Sequence, residues 1–158
     1  MKNKNDEHNL SITILLVDDE KSILSLLSKI LNKDGYKSIQ AENGIEALII
    51  LEKEQINCIL SDIKMPKMDG LTMLKKIREK NNPVPVIFFT SFGEQTLMMK
   101  ALEYGAYDFI DKPDFKNLEA VLTAGIKNNF GIISSPKEKE ASSKIFISEY
   151  RKMLKKLN

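Results

Sequence analysis

A chain of 158 residues, 42% hydrophobic and 29% charged, suits one domain that buries about 70% of its unfolded surface without structural metal or disulfide. A single cysteine, Cys58, excludes an internal disulfide, no Cys/His group has zinc spacing, and no apolar run reaches the roughly 20 residues that span a bilayer. The net charge of +2 is uneven: residues 12–133 hold 15 basic and 17 acidic side chains, and 134–158 hold 7 and 3, so the mildly acidic body argues against a nucleic-acid partner.

In chain order, the leader MKNKNDEHNLS is polar and lacks the apolar centre of a secretory signal, which predicts a cytoplasmic protein with no membrane partner. Short β-rich runs follow at Ile12–Val17, Lys37–Ala41, Cys58–Ser61, Val86–Phe89 and Asp108–Ile110. Each is succeeded by helical spacing. Ile23, Leu26, Leu27, Ile30 and Leu31 recur at three- and four-residue steps before Lys33-Asp34-Gly35 stops them. Gly44–Glu54, Gly70–Asn81, Glu94–Tyr104 and Lys116–Phe130 supply four more helices, with Asn82-Pro83 and Gly105 as breakers. Cys58 lies in an apolar run and reads as a small core residue. Five βα units in succession predict a doubly wound parallel α/β sheet, with helices on both faces and strand order 2-1-3-4-5. Ser134-Ser135-Pro136 and the following KEKE form a linker, and Ser142–Leu157 a basic amphipathic tail helix. The expected organisation is a leader at 1–11, one domain at 12–133, and linker plus tail at 134–158.

Ligands of an open parallel sheet bind beyond the carboxyl ends of its strands. There stand Asp18-Asp19 after the first strand, Asp62 after the third, Thr90-Ser91 after the fourth and Lys112-Pro113 after the fifth. The second ends in Ala41-Glu42-Asn43 and, as an edge, lies away from the crevice. Singly, each has a plain explanation. Asp18 or Asp19 could cap a helix starting near Glu20, Asp62 could be a turn residue, Lys112 a surface lysine, and Met65, Met68 and Met73 ordinary packing. Together, three carboxylates, a hydroxyl and a lysine converge. Their mutual repulsion is resolved by a hard divalent cation, and Mg²⁺ takes carboxylate oxygens, waters and a substrate phosphate. A carboxylate can also accept a phosphoryl group as nucleophile, with a lysine neutralising phosphate oxygens.

The motifs ILLVDDE, ILSDIKMPKMDG, VIFFTS and GAYDFIDKP resemble, in order and spacing, the receiver domain of two-component response regulators over roughly residues 12–130. The resemblance implies a flavodoxin-like (βα)5 fold and a phosphoacceptor at Asp62. It implies direct Mg²⁺ ligation by Asp19, Asp62 and the Lys64 backbone carbonyl, with Asp18 acting mostly through water. Lys112 would contact phosphate through a cis bond to Pro113, and Thr90 with Phe109 would be the switch pair. Phe109 stands where many members carry tyrosine. A histidine kinase or His-phosphotransfer protein is the implied donor. The output would leave through the face of the fourth helix, fifth strand and fifth helix (the α4-β5-α5 face) to a downstream protein, with a homodimer left open.

A flavodoxin would want a Ser/Thr/Gly-rich loop where Asp18-Asp19-Glu20 stands, and a haloacid-dehalogenase phosphatase would want its second Asp two residues on. The reading is therefore a stand-alone signalling phosphoacceptor rather than an enzyme, the alternative being a phosphorylation-independent, receiver-like binding module. His8, the single histidine, lies in the polar leader and is no donor site. Lys64 and Phe92, each two residues past a site residue, are expected to flank the phosphoryl group and slow its hydrolysis.

Overall fold

Strand β1, Thr13–Val17, is buried at every position, as a strand covered on both faces must be. The structure, a computed structural model, describes residues 12–90 and 95–111 together with Ala120 and Ala124. Within them the chain alternates β1, α1 (Lys21–Lys33), β2 (Lys37–Ala41), α2 (Gly44–Lys53), β3 (Cys58–Ser61), α3 (Gly70–Glu79), β4 (Val86–Thr90), α4 (Gln95–Glu103) and β5 (Asp108–Asp111). All five strands pair in parallel in the order β2-β1-β3-β4-β5. The predicted doubly wound sheet is the one observed.

Side chains alternate between two cores, following the period of two of a strand. Ile14, Leu16, Cys58, Leu60, Ile87, Phe89 and Ile110 meet Leu24, Leu27 and Leu31 of α1 on one face. Leu15, Val17, Ile59, Val86 and Phe88 meet Ala47 of α2, Met73, Leu74 and Ile77 of α3 and Ala101 of α4 on the other. Met73 is core, and Met65 and Met68 pack against it half-buried. Cys58 is fully buried and desolvation pushes its thiol up to about 12, so it is inert packing.

Most strand and helix ends differ from the sequence reading by a residue, and two of the differences are informative. Helix α1 begins at Lys21, and its N-cap, Glu20, makes no side-chain capping bond. Neither Asp18 nor Asp19 is therefore the cap. Helix α3 ends at Glu79 rather than Asn81, because Asn81 takes φ 57° and leaves the helix before Asn82-Pro83 can break it. The tail helix and the helix expected at 116–130 lie outside the described residues, apart from Ala120 and Ala124, which are helical and exposed. Among the described residues, no helix is long and apolar enough to cross a membrane.

At the amino ends of the strands, polar groups close the fold. Asn57 Oδ1 accepts the Thr13 backbone N–H at 2.8 Å in a buried site. From the last turn of α3, the Arg78 guanidinium donates to the carbonyls of Asn82 at 2.8 Å, Val84 at 2.9 Å and Gly105 at 2.9 Å. It ties the α3–β4 and α4–β5 connections together.

Candidate functional site

The opposite edge of the sheet gathers carboxylates. The ladder runs one residue past β1 and β3, since the Asp18 N–H donates to the Ala41 carbonyl at 3.1 Å and the Asp62 N–H to the Val17 carbonyl at 2.8 Å. Asp18 is only 2% exposed, Asp19 is exposed and Asp62 is half-buried. One oxygen from each of these three residues lies within 4.8 Å of the other two.

Backbone donors fix two of the three. Asp18 Oδ1 accepts from the Glu20 N–H at 2.9 Å, which folds the β1–α1 turn over the acid. Asp62 Oδ1 accepts from the Ile63 N–H at 2.7 Å, and Ser61 Oγ donates to the Asp62 carbonyl at 2.7 Å. Asp19, next to a buried neighbour, is left on the solvent side of the group.

The loop from Asp62 to α3 is gripped at several points. Its tightest bend is at Lys67, with φ 66°, where the Met68 N–H donates to the Pro66 carbonyl at 2.7 Å in a three-residue turn. The Gly44 N–H, opening α2, donates to the Met68 carbonyl at 3.1 Å, and the Gly70 N–H donates to that of Ile63 at 2.7 Å. Asp69 caps α3 by accepting the Thr72 N–H at 2.8 Å, and Asn43 caps α2 by accepting that of Glu46 at 3.0 Å. At the rim Lys21 pairs with Glu42 at 3.5 Å.

Of the other residues singled out by sequence, Thr90 ends β4 in register with Asp111, the last residue of β5. Phe109 pairs with Phe88, and their rings stack with centroids 6.0 Å apart and planes 22° from parallel. Phe109 is half-buried against the core beneath α2, α3 and α4. Lys64 is exposed on the loop beyond Asp62. Lys112, Pro113 and Phe92 lie outside the described residues.

Sequence reasoning passed over two glycines. Gly44 and Gly70 are each the first residue of a helix, where glycine is a poor helix former, and that mismatch was the available signal. Each N–H instead holds a carbonyl of the Asp62 loop.

Chemically, three oxygen donors of like charge on two adjacent strands make a centre for a hard divalent cation. The half-buried Asp62 presents a carboxylate, a group that can act as a nucleophile, with one oxygen held by the Ile63 N–H.

Comparison with known proteins agrees with this geometry. The family model for the response regulator receiver domain matches residues 14–123. Sporulation initiation phosphotransferase F of Bacillus subtilis is 40% identical over 100 residues, covering 63% of this chain and 81% of that protein. The transcriptional regulatory protein ZraR of Escherichia coli is 34% identical over 123 residues, covering 77% of this chain but 28% of ZraR. The chain thus spans most of the first relative and a minor part of the second. Among solved structures, the response regulator TrrA of Thermotoga maritima, in complex with Mg²⁺-BeF, superposes with a TM-score of 0.66 and 30% identity, over 72% of this chain and 98% of TrrA. The chemotaxis response regulator CheY4 of Vibrio cholerae gives a TM-score of 0.64 and 29% identity, over 70% of this chain and 98% of CheY4.

Proposed function

Because the chain belongs to the response regulator receiver domain family of two-component signalling, we propose that it accepts a phosphoryl group on Asp62 in a Mg²⁺-dependent reaction. The donor is a histidine kinase or His-phosphotransfer protein, and the signal passes on through a protein–protein surface. The observation that carries this is the meeting of Asp18, Asp19 and Asp62 within 4.8 Å at the carboxyl ends of neighbouring strands.

In acceptance, an Asp62 carboxylate oxygen forms a bond to phosphorus while the bond from phosphorus to the donor's leaving atom breaks. The leaving group takes the electron pair. The Ile63 N–H limits rotation of the Asp62 carboxylate, and the Glu20 N–H does the same for Asp18. The donor set fits Mg²⁺, which Asp18, Asp19, Asp62 and the Lys64 carbonyl would hold; when bound, it neutralises charge on the phosphoryl oxygens. The complex of TrrA with Mg²⁺-BeF supports carrying this ligand chemistry to the present chain.

Lys112 serves as the phosphate contact, through a cis bond to Pro113, and Thr90 with Phe109 as the switch. The position of Thr90 at the end of β4 and the Phe109 stack on Phe88 support the switch assignment. The domain spans 12–133, with 134–158 as an appended linker and tail, and the face of α4, β5 and the helix expected at 116–130 is the output surface.

Acetyl phosphate with Mg²⁺ tests the reading directly. Intact-mass measurement is expected to show one added phosphoryl group on the wild type, none on Asp62→Ala, and none when EDTA removes the metal. Asp19→Ala is expected to weaken Mg²⁺ binding. Label on folded Asp62→Ala would refute the assignment, and a folded wild type that never takes the label would favour a phosphorylation-independent binding module.

A further inference from the structure

The loop that carries Asp62 rejoins the helical layer at Gly70, and the fit there is closer than any side chain allows. A Cβ built on Gly70 would lie 2.4 Å from the Asp62 carbonyl oxygen, 2.7 Å from Phe88 Cε1 and 3.1 Å from Ile63 Cα. Two of these neighbours are backbone, and the third belongs to a ring with no exposed surface. None is the loose end of a flexible side chain.

Backbone conformation does not call for glycine here. The positive-φ glycines among the described residues are Gly35 and Gly105, and alanine is the better helix former. What glycine provides at 70 is closeness. The Gly70 N–H holds the Ile63 carbonyl at 2.7 Å, the Ile63 N–H holds Asp62 Oδ1 at 2.7 Å, and Ser61 Oγ holds the Asp62 carbonyl at 2.7 Å. The start of α3, the peptide between Asp62 and Ile63, and the carboxylate form one train of contacts. Phe88 backs that train from the far side and is itself stacked on Phe109.

Resting on the reading of Asp62 as the phosphoacceptor, we propose that Gly70 is a positioning residue for phosphoryl acceptance. Its bare Cα lets the buried Phe88 ring seat α3 against the Asp62 peptide. This seating sets the direction from which the Asp62 oxygen approaches phosphorus as the donor's leaving group departs. A methyl group at 70 must displace either the ring or the Asp62 carbonyl. The ring is enclosed by the core, so the peptide moves and the carboxylate moves with it.

Wild type, Gly70→Ala, Phe88→Leu and the double variant, all as full chains, decide the matter. The readouts are the initial rate of label uptake from acetyl phosphate at saturating Mg²⁺, the Mg²⁺ dissociation constant by calorimetry, and the urea midpoint. Gly70→Ala is expected to take the label about tenfold more slowly, since small misplacements of reacting groups carry large rate effects. Its Mg²⁺ affinity is expected to fall by less than the rate, because the Asp62 ligands shift while Asp18 and Asp19, on the β1 side, keep their places. A general loss of structure would move both together. In the double variant the smaller leucine side chain in place of the Phe88 ring lets α3 shift so that the methyl group clears the Asp62 carbonyl, and most of the rate returns toward that of Phe88→Leu. A folded Gly70→Ala with the wild-type rate overturns the proposal, as does a folded double variant no faster than Gly70→Ala. If Gly70→Ala does not fold, the double variant is judged against Phe88→Leu alone, and a folded double variant still far slower overturns it. Label persisting on Asp62→Asn overturns the phosphoacceptor reading, and this proposal falls with it.

Discussion

At the carboxyl ends of β1 and β3, three carboxylates stand within 4.8 Å of one another, whereas at the amino ends of the strands one guanidinium meets three carbonyls and an Asn57 oxygen closes the Thr13 amide. One end accumulates like charge; the other matches donor to acceptor. The contrast separates groups that work against the fold from groups that hold it. Burial cuts across the division: Asp18 is buried beside the exposed Asp19, and the half-buried Arg78 is sunk far enough for desolvation to lower its pKa. The acidic pole is the part of the molecule that gains most from a ligand, and the opposite pole is the part that can least spare a side chain.

The largest expected effect lies at the pole that holds the fold. Arg78→Met keeps the aliphatic stem but leaves three carbonyls without their charged donor, which costs about 2–4 kcal/mol of stability in urea unfolding. Below its unfolding range this variant is expected to take label from acetyl phosphate at the wild-type rate. A matching loss of rate in fully folded protein would break the division between the poles. Next in size is Asp19→Asn, which removes one of three like charges at an exposed position. In metal-free buffer it is expected to raise stability by about 0.5 kcal/mol. With millimolar Mg²⁺ the order reverses, because a ligand bound only by the folded state stabilises the wild type more. Urea curves with and without EDTA check both signs.

The smallest effect sharpens the contrast from within the amino-end pole. Asp108, at the start of β5, has its carboxyl raised above the usual 3.8 by burial, and the Phe109 N–H bond to Oδ1 only partly offsets this. An acid whose folded pKa is raised binds more protons folded than unfolded. Its contribution is therefore present below the unfolded value and is lost as pH rises through the folded one. Asp108→Asn is expected to be more stable than wild type at neutral pH, and the difference should vanish as the pH falls below about 4. Parallel unfolding curves for the two proteins across that range would count against the burial argument.

Much of this could be read from the sequence, and the rest could not for identifiable reasons. Continuous apolar runs such as ILLV and VIFF disclosed the two-faced strands, and the repeated βα rhythm disclosed their parallel order. Asp18, Asp19 and Asp62 were legible as a group because strand ends in such a sheet share one edge. The cap of α1 is easily misread because an acid before a helix looks like a cap in one dimension. In three dimensions Asp18 turns its oxygen to the Glu20 N–H while the helix starts later. Arg78 escapes a sequence reading because its acceptors lie up to 27 residues away and carbonyls leave no mark in a sequence. Gly70 sits within a quoted motif, yet its closeness to Phe88 emerges only when β3, β4 and α3 are packed.

The sheet ladder does not stop at the last strand residues, since the Asp18 and Asp62 amides still donate to Ala41 and Val17. Two of the three acids are thereby fastened to the hydrogen-bonded sheet before any ligand arrives. A cation that settles between them meets a preorganised pair and has little loop entropy to overcome. Affinity at this edge is then governed by charge and dehydration rather than by ordering. Changes in the surrounding loops would alter access and lifetime while leaving the placement of those two carboxylates to the sheet.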